Sequence, residues 1–129
     1  MRAADTNLLV RLIAKDDADQ ERLAREAASP GAWISTVALV EAIWVLKSYY
    51  GLDRQRIAST VATFLNHQNF VVQDADTVTA ALAVFQRNKK VEFSDCLIVE
   101  MARKAGHLPL VTFDRDLAKL DGAERIDAL

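Results

Sequence analysis

The sequence predicts a single α/β domain with a central, mostly parallel sheet of four or five strands flanked by helices. Short apolar runs rich in β-formers alternate with longer stretches of 3.6-residue periodicity, the signature of βα units around a parallel sheet. The length of 129 residues suits one domain, and a fold of that size buries roughly two thirds of its unfolded surface. Hydrophobic residues make up 51% of the chain against 26% charged, which supports a packed core and excludes a disordered chain. No linker and no internal repeat interrupts the alternation.

A first strand is expected over residues 2–5, then a helix over 8–14 and an Ala- and charge-rich helix over 18–28, broken by Ser29-Pro30-Gly31. Residues 32–34 supply a short second strand. Ser35 or Thr36 then caps a strongly apolar helix that reaches about Tyr50, is stopped by Gly51 and is expected to be buried on most sides. Asp53 caps a helix to Asn66, residues 70–73 make a third strand, and Asp76 caps a helix ending near Arg87. A basic, polar loop follows. Ser94 opens a helix to Ala105, closed by Gly106, and residues 108–112 form a fourth strand with Pro109 near its start, where a missing amide donor is tolerated. A short helix from Asp114 and an edge strand near Arg125-Ile126 complete the pattern.

Several function classes drop out. The longest apolar stretch, residues 37–46, is interrupted by Glu41 and falls well short of the roughly 20 residues that span a bilayer. Asp5 breaks what would be the apolar core of a signal peptide, so the chain reads as cytoplasmic, with no membrane partner. Cys96 has no second cysteine for a disulfide or a zinc site and reads as a small core residue. A net charge of −2 means that any nucleic-acid contact must come from a local basic patch. There is no Gly-rich phosphate loop and no Gly-x-Ser-x-Gly, and His67 and His107 fall at loop or helix ends.

The chemistry must then lie with carboxylates. Asp16, Asp17, Asp19, Glu21 and Glu26 belong to solvated helix faces. Glu41 differs, being the sole charged residue between Trp33 and Leu46. An unpaired carboxylate buried there would cost several kcal/mol, so it needs a partner, either a structural salt bridge or a ligand. Asp5 ends the first strand and Asp114 follows the apolar run 110–113, which places both at carboxyl ends of strands, where ligand crevices of open α/β sheets form. Asp95 lies in the first turn of its helix, a position that the helix dipole alone explains. Carboxylates converging on one crevice repel one another unless a cation neutralises them, and oxygen ligands without His or Cys favour Mg²⁺ or Mn²⁺. Such a site suits phosphodiester hydrolysis, because the metal activates water and stabilises developing charge.

Four segments then carry a resemblance: Ala4-Asp5-Thr6-Asn7, Ile34-Ser35-Thr36 leading to Val40-Glu41, Phe93-Ser94-Asp95-Cys96-Leu97-Ile98, and Thr112-Phe113-Asp114-Arg115-Asp116. In this order and spacing the chain resembles PIN-domain ribonucleases, particularly VapC-type toxins of toxin-antitoxin pairs, over nearly its whole length. The resemblance implies one PIN-like domain over residues 1–129, with Asp5, Glu41 and Asp95 as the main acidic residues and Asp114 as the fourth. Asp5, Asp95 and Asp114 are then the implied metal ligands. Asp116 is placed to share the fourth role, and Thr6, Asn7 and Thr112 match polar positions beside the metal. Phe113 stands where many relatives have a small or polar residue.

The resemblance further implies Mg²⁺- or Mn²⁺-dependent endoribonuclease activity, a homodimer, an RNA substrate and a cognate antitoxin. In the basic run before Asp95, Arg87, Lys89 and Lys90 either hold RNA phosphates or form a solvated loop. Two alternatives stand beside this reading. A receiver domain also gathers Asp residues and Mg²⁺ at strand ends, but the third strand here ends in Gln73-Asp74 and Glu41 has no role in that scheme. A catalytically inert module of the same fold would grip RNA or a protein, and the four intact acids argue against it.

Overall fold

Short side chains that accept backbone hydrogen bonds start the helices of the N-terminal half. In the computed structural model, which describes residues 1–127, the chain divides into two compact units, one running Met1–Ala75 and the other from Asp76 onward. The first unit contains β1 (Arg2–Ala4), α1 (Thr6–Ala14), α2 (Ala18–Ala28), β2 (Ala32–Ile34), α3 (Thr36–Ser48), α4 (Arg54–Asn66) and β3 (Phe70–Val72). Asp5 accepts from the Leu8 amide, Asp17 from those of Asp19 and Gln20, Ser35 from Ala38 and Asp53 from Arg56. Each bond satisfies one of the amides that a helix N-terminus leaves without an internal partner.

The strands of this unit are parallel in the order β1-β2-β3, with Arg2 opposite Ala32 and Ile34 opposite Val72. Helices supply the crossovers, as parallel strands require. Leu9, Ile34, Leu39, Leu46 and Val61 are fully buried and Phe64 nearly so. The helix expected to be buried on most sides is not. α3 buries Ala38, Leu39, Ala42, Ile43 and Leu46, while Val37 is 67% and Trp44 68% exposed, with Glu41 exposed between them. The spacing 37, 41, 44 follows one side of a helix, so the apolar composition of α3 hides an ordinary two-faced element. α3 ends at Ser48, and Gly51, at φ +70, turns the chain so that Leu52 N–H reaches the Leu46 carbonyl at 3.0 Å.

The second unit comprises α5 (Ala75–Arg87, its first residue at the boundary), α6 (Phe93–Ala105), β4 (Leu110–Thr112), a 3₁₀ turn (Leu117–Lys119) and β5 (Ala123–Arg125). β4 and β5 are parallel, with Leu110 opposite Ala123. Val78, Ala81, Phe93, Cys96, Leu97 and Val99 are buried, and Phe85 meets Phe93 edge-on at 6.0 Å between centroids. The expected α/β class and parallel pairing hold, with the described strands forming a three-stranded and a two-stranded sheet.

Local differences from expectation have simple causes. Asp76 does not cap α5, which opens a residue earlier, and its carboxylate instead meets Lys104 Nζ at 3.2 Å. α6 opens at Phe93 because Phe93 is itself a core residue, which puts Glu92 at the N-cap position expected for Ser94. β4 starts only at Leu110, after Pro109. The short helix expected from Asp114 is the 3₁₀ turn at Leu117–Lys119. No helix among the described residues is long and apolar enough to cross a membrane.

Candidate active site

In the first unit the candidate acids stand at the junction of β1 with α1 and on α3. Asp5 follows β1 directly, is exposed, and gives Oδ1 to the Leu8 amide at 2.9 Å as the N-cap of α1. Its neighbour Thr6 donates its hydroxyl to Glu41 Oε2 at 2.9 Å. The first turn of α1 therefore links the end of β1 to α3. The expectation of a buried Glu41 is corrected: it is exposed, and Thr6, not a basic residue, is its hydrogen-bond partner. Its place between Val37 and Trp44 on the open side of α3 lets its charge stay hydrated, which removes the desolvation cost. Asn7 is exposed in the first turn of α1.

The second unit treats its acids differently. Asp95 is half-buried in the first turn of α6. Burial, followed by the negative charges of Asp114 and Glu92, holds its carboxyl above the usual carboxylate range, against the opposing donation of the Glu92 backbone amide. Glu92 was not singled out from the sequence. Its signal was the spacing of three residues ahead of Asp95 at a helix start, which brings the N-cap residue beside the third helical residue.

Asp114 is exposed and held in a fixed turn. Its amide donates to Thr112 Oγ1 at 3.0 Å, while its Oδ1 accepts from the amides of Asp116 at 2.8 Å and Leu117 at 3.0 Å. Asp116 is half-buried with its own carboxylate 4.0 Å from Lys119 Nζ. Of these two acids, Asp114 is the one whose charge acts on Asp95. Thr112, expected beside a metal, is seen here anchoring the Asp114 backbone.

The structure thus links Glu41 to Thr6, the residue after Asp5, and it sets the charges of Asp114 and Glu92 on Asp95. Among the described residues no three His, Cys, Asp or Glu side chains are grouped closely enough to hold a metal ion. The donors themselves are carboxylate and hydroxyl oxygens, the chemistry that hard divalent cations prefer. The carboxyl of Asp95 is raised by burial first and by the charges of Asp114 and Glu92 second. The oxygen donor set is thus of the type that Mg²⁺ or Mn²⁺ prefers, while no three of these side chains are drawn together around one point among the described residues.

Among the basic candidates, Arg87 ends α5 and is exposed, as are Lys89 and Lys90 in the loop that follows. Arg87 also lines a cleft of about 530 Å³ with Asn88, Glu100, Arg103, Lys119 and Asp121. Arg103 is engaged there by Glu100 at 3.3 Å and the Asp121 carbonyl at 2.8 Å, and Lys119 lies 4.0 Å from Asp116, so Arg87 is the cation of the cleft lining with no ion pair among the described residues. His67 accepts from the Asn69 amide and Cys96 is buried, so neither takes part.

Comparison with known proteins places these residues in a family context. The PIN domain family matches residues 3–123. A VapC ribonuclease of Aquifex aeolicus (strain VF5) is 25% identical over 125 residues, covering 93% of this chain and 92% of the relative. No solved structure gives a significant match.

Proposed function

We propose, on the premise that this chain belongs to the PIN domain family, that it is a Mg²⁺- or Mn²⁺-dependent endoribonuclease and the toxin of a toxin-antitoxin pair. The observation that carries the reading is the half-buried Asp95 among like charges. A carboxyl raised first by burial and then by two like charges is the kind of perturbed acid that functional sites collect. Similarity to the Aquifex ribonuclease over nearly the whole chain supports the substrate class. The match runs through both units, which supports a single domain over residues 1–129.

In this reading Asp5, Asp95 and Asp114 hold the cation, which when bound neutralises a phosphate and lowers the pKa of a water. Glu41, one oxygen fixed by the Thr6 hydroxyl, orients the attacking water with the other. Asn7 adds an amide beside Asp5. Thr112 fixes the turn that presents Asp114, and the Asp116 amide donates to Asp114 Oδ1, holding that carboxylate in place. Arg87, Lys89 and Lys90 contact RNA phosphates, compensating for the acidic balance of the chain. The protein acts in the cytoplasm as a homodimer and is inhibited by a cognate antitoxin.

The test is incubation of wild type, Asp5→Asn and Asp95→Asn with a mixed RNA panel, with and without Mn²⁺. Cleavage by wild type alone, and with metal alone, is expected. Full activity in excess EDTA would overturn the metal mechanism, and RNA binding without any cleavage would leave an inert binding module. Expression of the chain by itself should arrest growth, with relief by the small protein of the neighbouring reading frame. A harmless chain would reduce the reading to a generic nuclease.

A further inference from the structure

Phe113 is 69% exposed, immediately after β4, between Thr112 and Asp114. A phenyl ring left in water is informative when its backbone is held, because nothing local prevents it from turning inward except the fold itself. Here the backbone is held on both sides: Thr112 accepts from the Asp114 amide, and Asp114 accepts from those of Asp116 and Leu117. The Thr112 carbonyl is also tied to the Ile126 amide at 2.8 Å. Phe113 joins none of the aromatic pairs among the described residues. Its ring is therefore displayed on a rigid turn without a partner.

Its neighbours indicate what the ring receives. Asp114, the next residue, is the acid whose charge acts on Asp95. Arg115, the one after, is exposed and makes no ion pair among the described residues. An open aromatic ring followed by a candidate catalytic acid and an unengaged guanidinium suits a single nucleic-acid strand, whose bases stack on aromatic faces while phosphates meet cations. Val111 and Ile126 are also exposed near the ring, but the acid and the guanidinium that follow Phe113 directly supply the charges that a nucleic-acid strand meets and that the centre of a protein interface is depleted of.

We propose that Phe113 is a stacking platform that holds an unpaired RNA base beside Asp114, with Arg115 contacting an adjacent phosphate. This rests on the ribonuclease reading and makes Phe113 a positioning residue for substrate. Stacking is indifferent to which base is present, since every base has a π-face, so the platform sets strand position more than sequence.

The experiment measures binding in EDTA of a short labelled single-stranded RNA of mixed sequence, and of the same backbone lacking its bases. Wild type, Phe113→Ala, Phe113→Trp and Asp95→Asn are compared, with melting temperature as a fold control. Phe113→Ala should weaken binding of the base-bearing strand about tenfold, from the energy of one stacked base. Its binding of the abasic strand and its melting temperature should match wild type, and Phe113→Trp should bind as wild type or better. With Mn²⁺, Phe113→Ala should raise KM and leave kcat unchanged, as expected for a contact made equally in ground and transition states.

Equal binding of the base-bearing strand by Phe113→Ala and wild type overturns the proposal. So does an equal loss on the abasic strand, and so does a defect confined to binding of an inhibitory protein. Cleavage by wild type with Mn²⁺, which Asp95→Asn should lack while binding the strand in EDTA, separates the two readings. Absence of cleavage by wild type, together with a base-dependent loss in Phe113→Ala, defeats the ribonuclease reading and supports the platform. Cleavage with an unchanged KM in Phe113→Ala defeats the platform alone.

Discussion

At the end of β1, Asp5 gives an oxygen to the Leu8 amide and Glu41 receives the Thr6 hydroxyl, so both candidate acids of the first unit are exposed and supplied with donors. In the second unit Asp95 is half-buried, two carboxylates act on it, and a single backbone amide opposes them. Acids of the first kind serve the fold as well as the chemistry, since a cap satisfies an amide that a helix would otherwise leave open. An acid of the second kind opposes the fold at neutral pH. The contrast teaches that candidate residues of one site need not share one relation to stability, and that substitution can tell them apart.

The largest expected effect would abolish the contrast. Asp5→Asn and Asp95→Asn should each reduce RNA cleavage by at least about a hundredfold, the upper end of what loss of a merely supporting group costs. Thr6→Val, which removes the donor to Glu41 and leaves every acid in place, should cost about tenfold. If Asp5→Asn retains activity in a cleavage assay while Asp95→Asn loses it, Asp5 is a cap and nothing more.

Thermal melting without metal sharpens the comparison. Asp5→Ala should lose about 1 kcal/mol through the missing cap, or roughly 4 °C in Tm. Asp95→Asn removes a repelled charge with little change in volume and should leave Tm unchanged or raise it. Millimolar Mn²⁺ should reverse the order of wild type and Asp95→Asn, since a ligand at a hundredfold excess over Kd stabilises the folded state by about 2.7 kcal/mol. Strong destabilisation of Asp95→Asn in metal-free buffer would mark Asp95 as structural.

A smaller effect concerns pH. Between the ordinary Asp range and the raised value of Asp95, the folded state holds more protons at this residue than the unfolded state. Its contribution to stability is thus greatest at the acidic end of that window and declines as pH rises through it. The Tm of Asp95→Asn minus that of wild type, measured without metal, should grow over this interval. A difference independent of pH would sink the claim that charge repulsion acts on Asp95.

The smallest effect lies away from both groups of acids. The exposed Lys104–Asp76 pair at 3.2 Å is screened by solvent, so Lys104→Met should change neither Tm nor cleavage appreciably. A large loss in chemical denaturation would show that α5 and α6 depend on surface charge more than on Phe85 and Phe93.

The sequence by itself determined the order of elements and most of their starts, because these are set by local chemistry. Ser35 and Asp53 each sit one residue before a helix and close a bond within three residues, and Asp17, read from the sequence as part of a solvated face, does the same. It determined the parallel pairing as well, since strands separated by helices cannot return antiparallel through a short turn. The candidate acids were legible as charges at strand ends and helix starts. What each acid meets was decided only by the tertiary structure. Val37, Glu41 and Trp44 read as core in an apolar stretch, yet they share the side of α3 that faces water, because the packing partners of a helix determine which stripe is covered. Glu92 carried only the faint signal of standing three residues ahead of Asp95, and its effect on that carboxyl emerges once α6 opens at the buried Phe93 and makes Glu92 the N-cap residue. Phe113 closes the apolar run 110–113 in the sequence. It is exposed because the hydrogen-bonded turn through Thr112 and Asp114 holds the backbone there, and that turn depends on bonds which no hydrophobic pattern encodes.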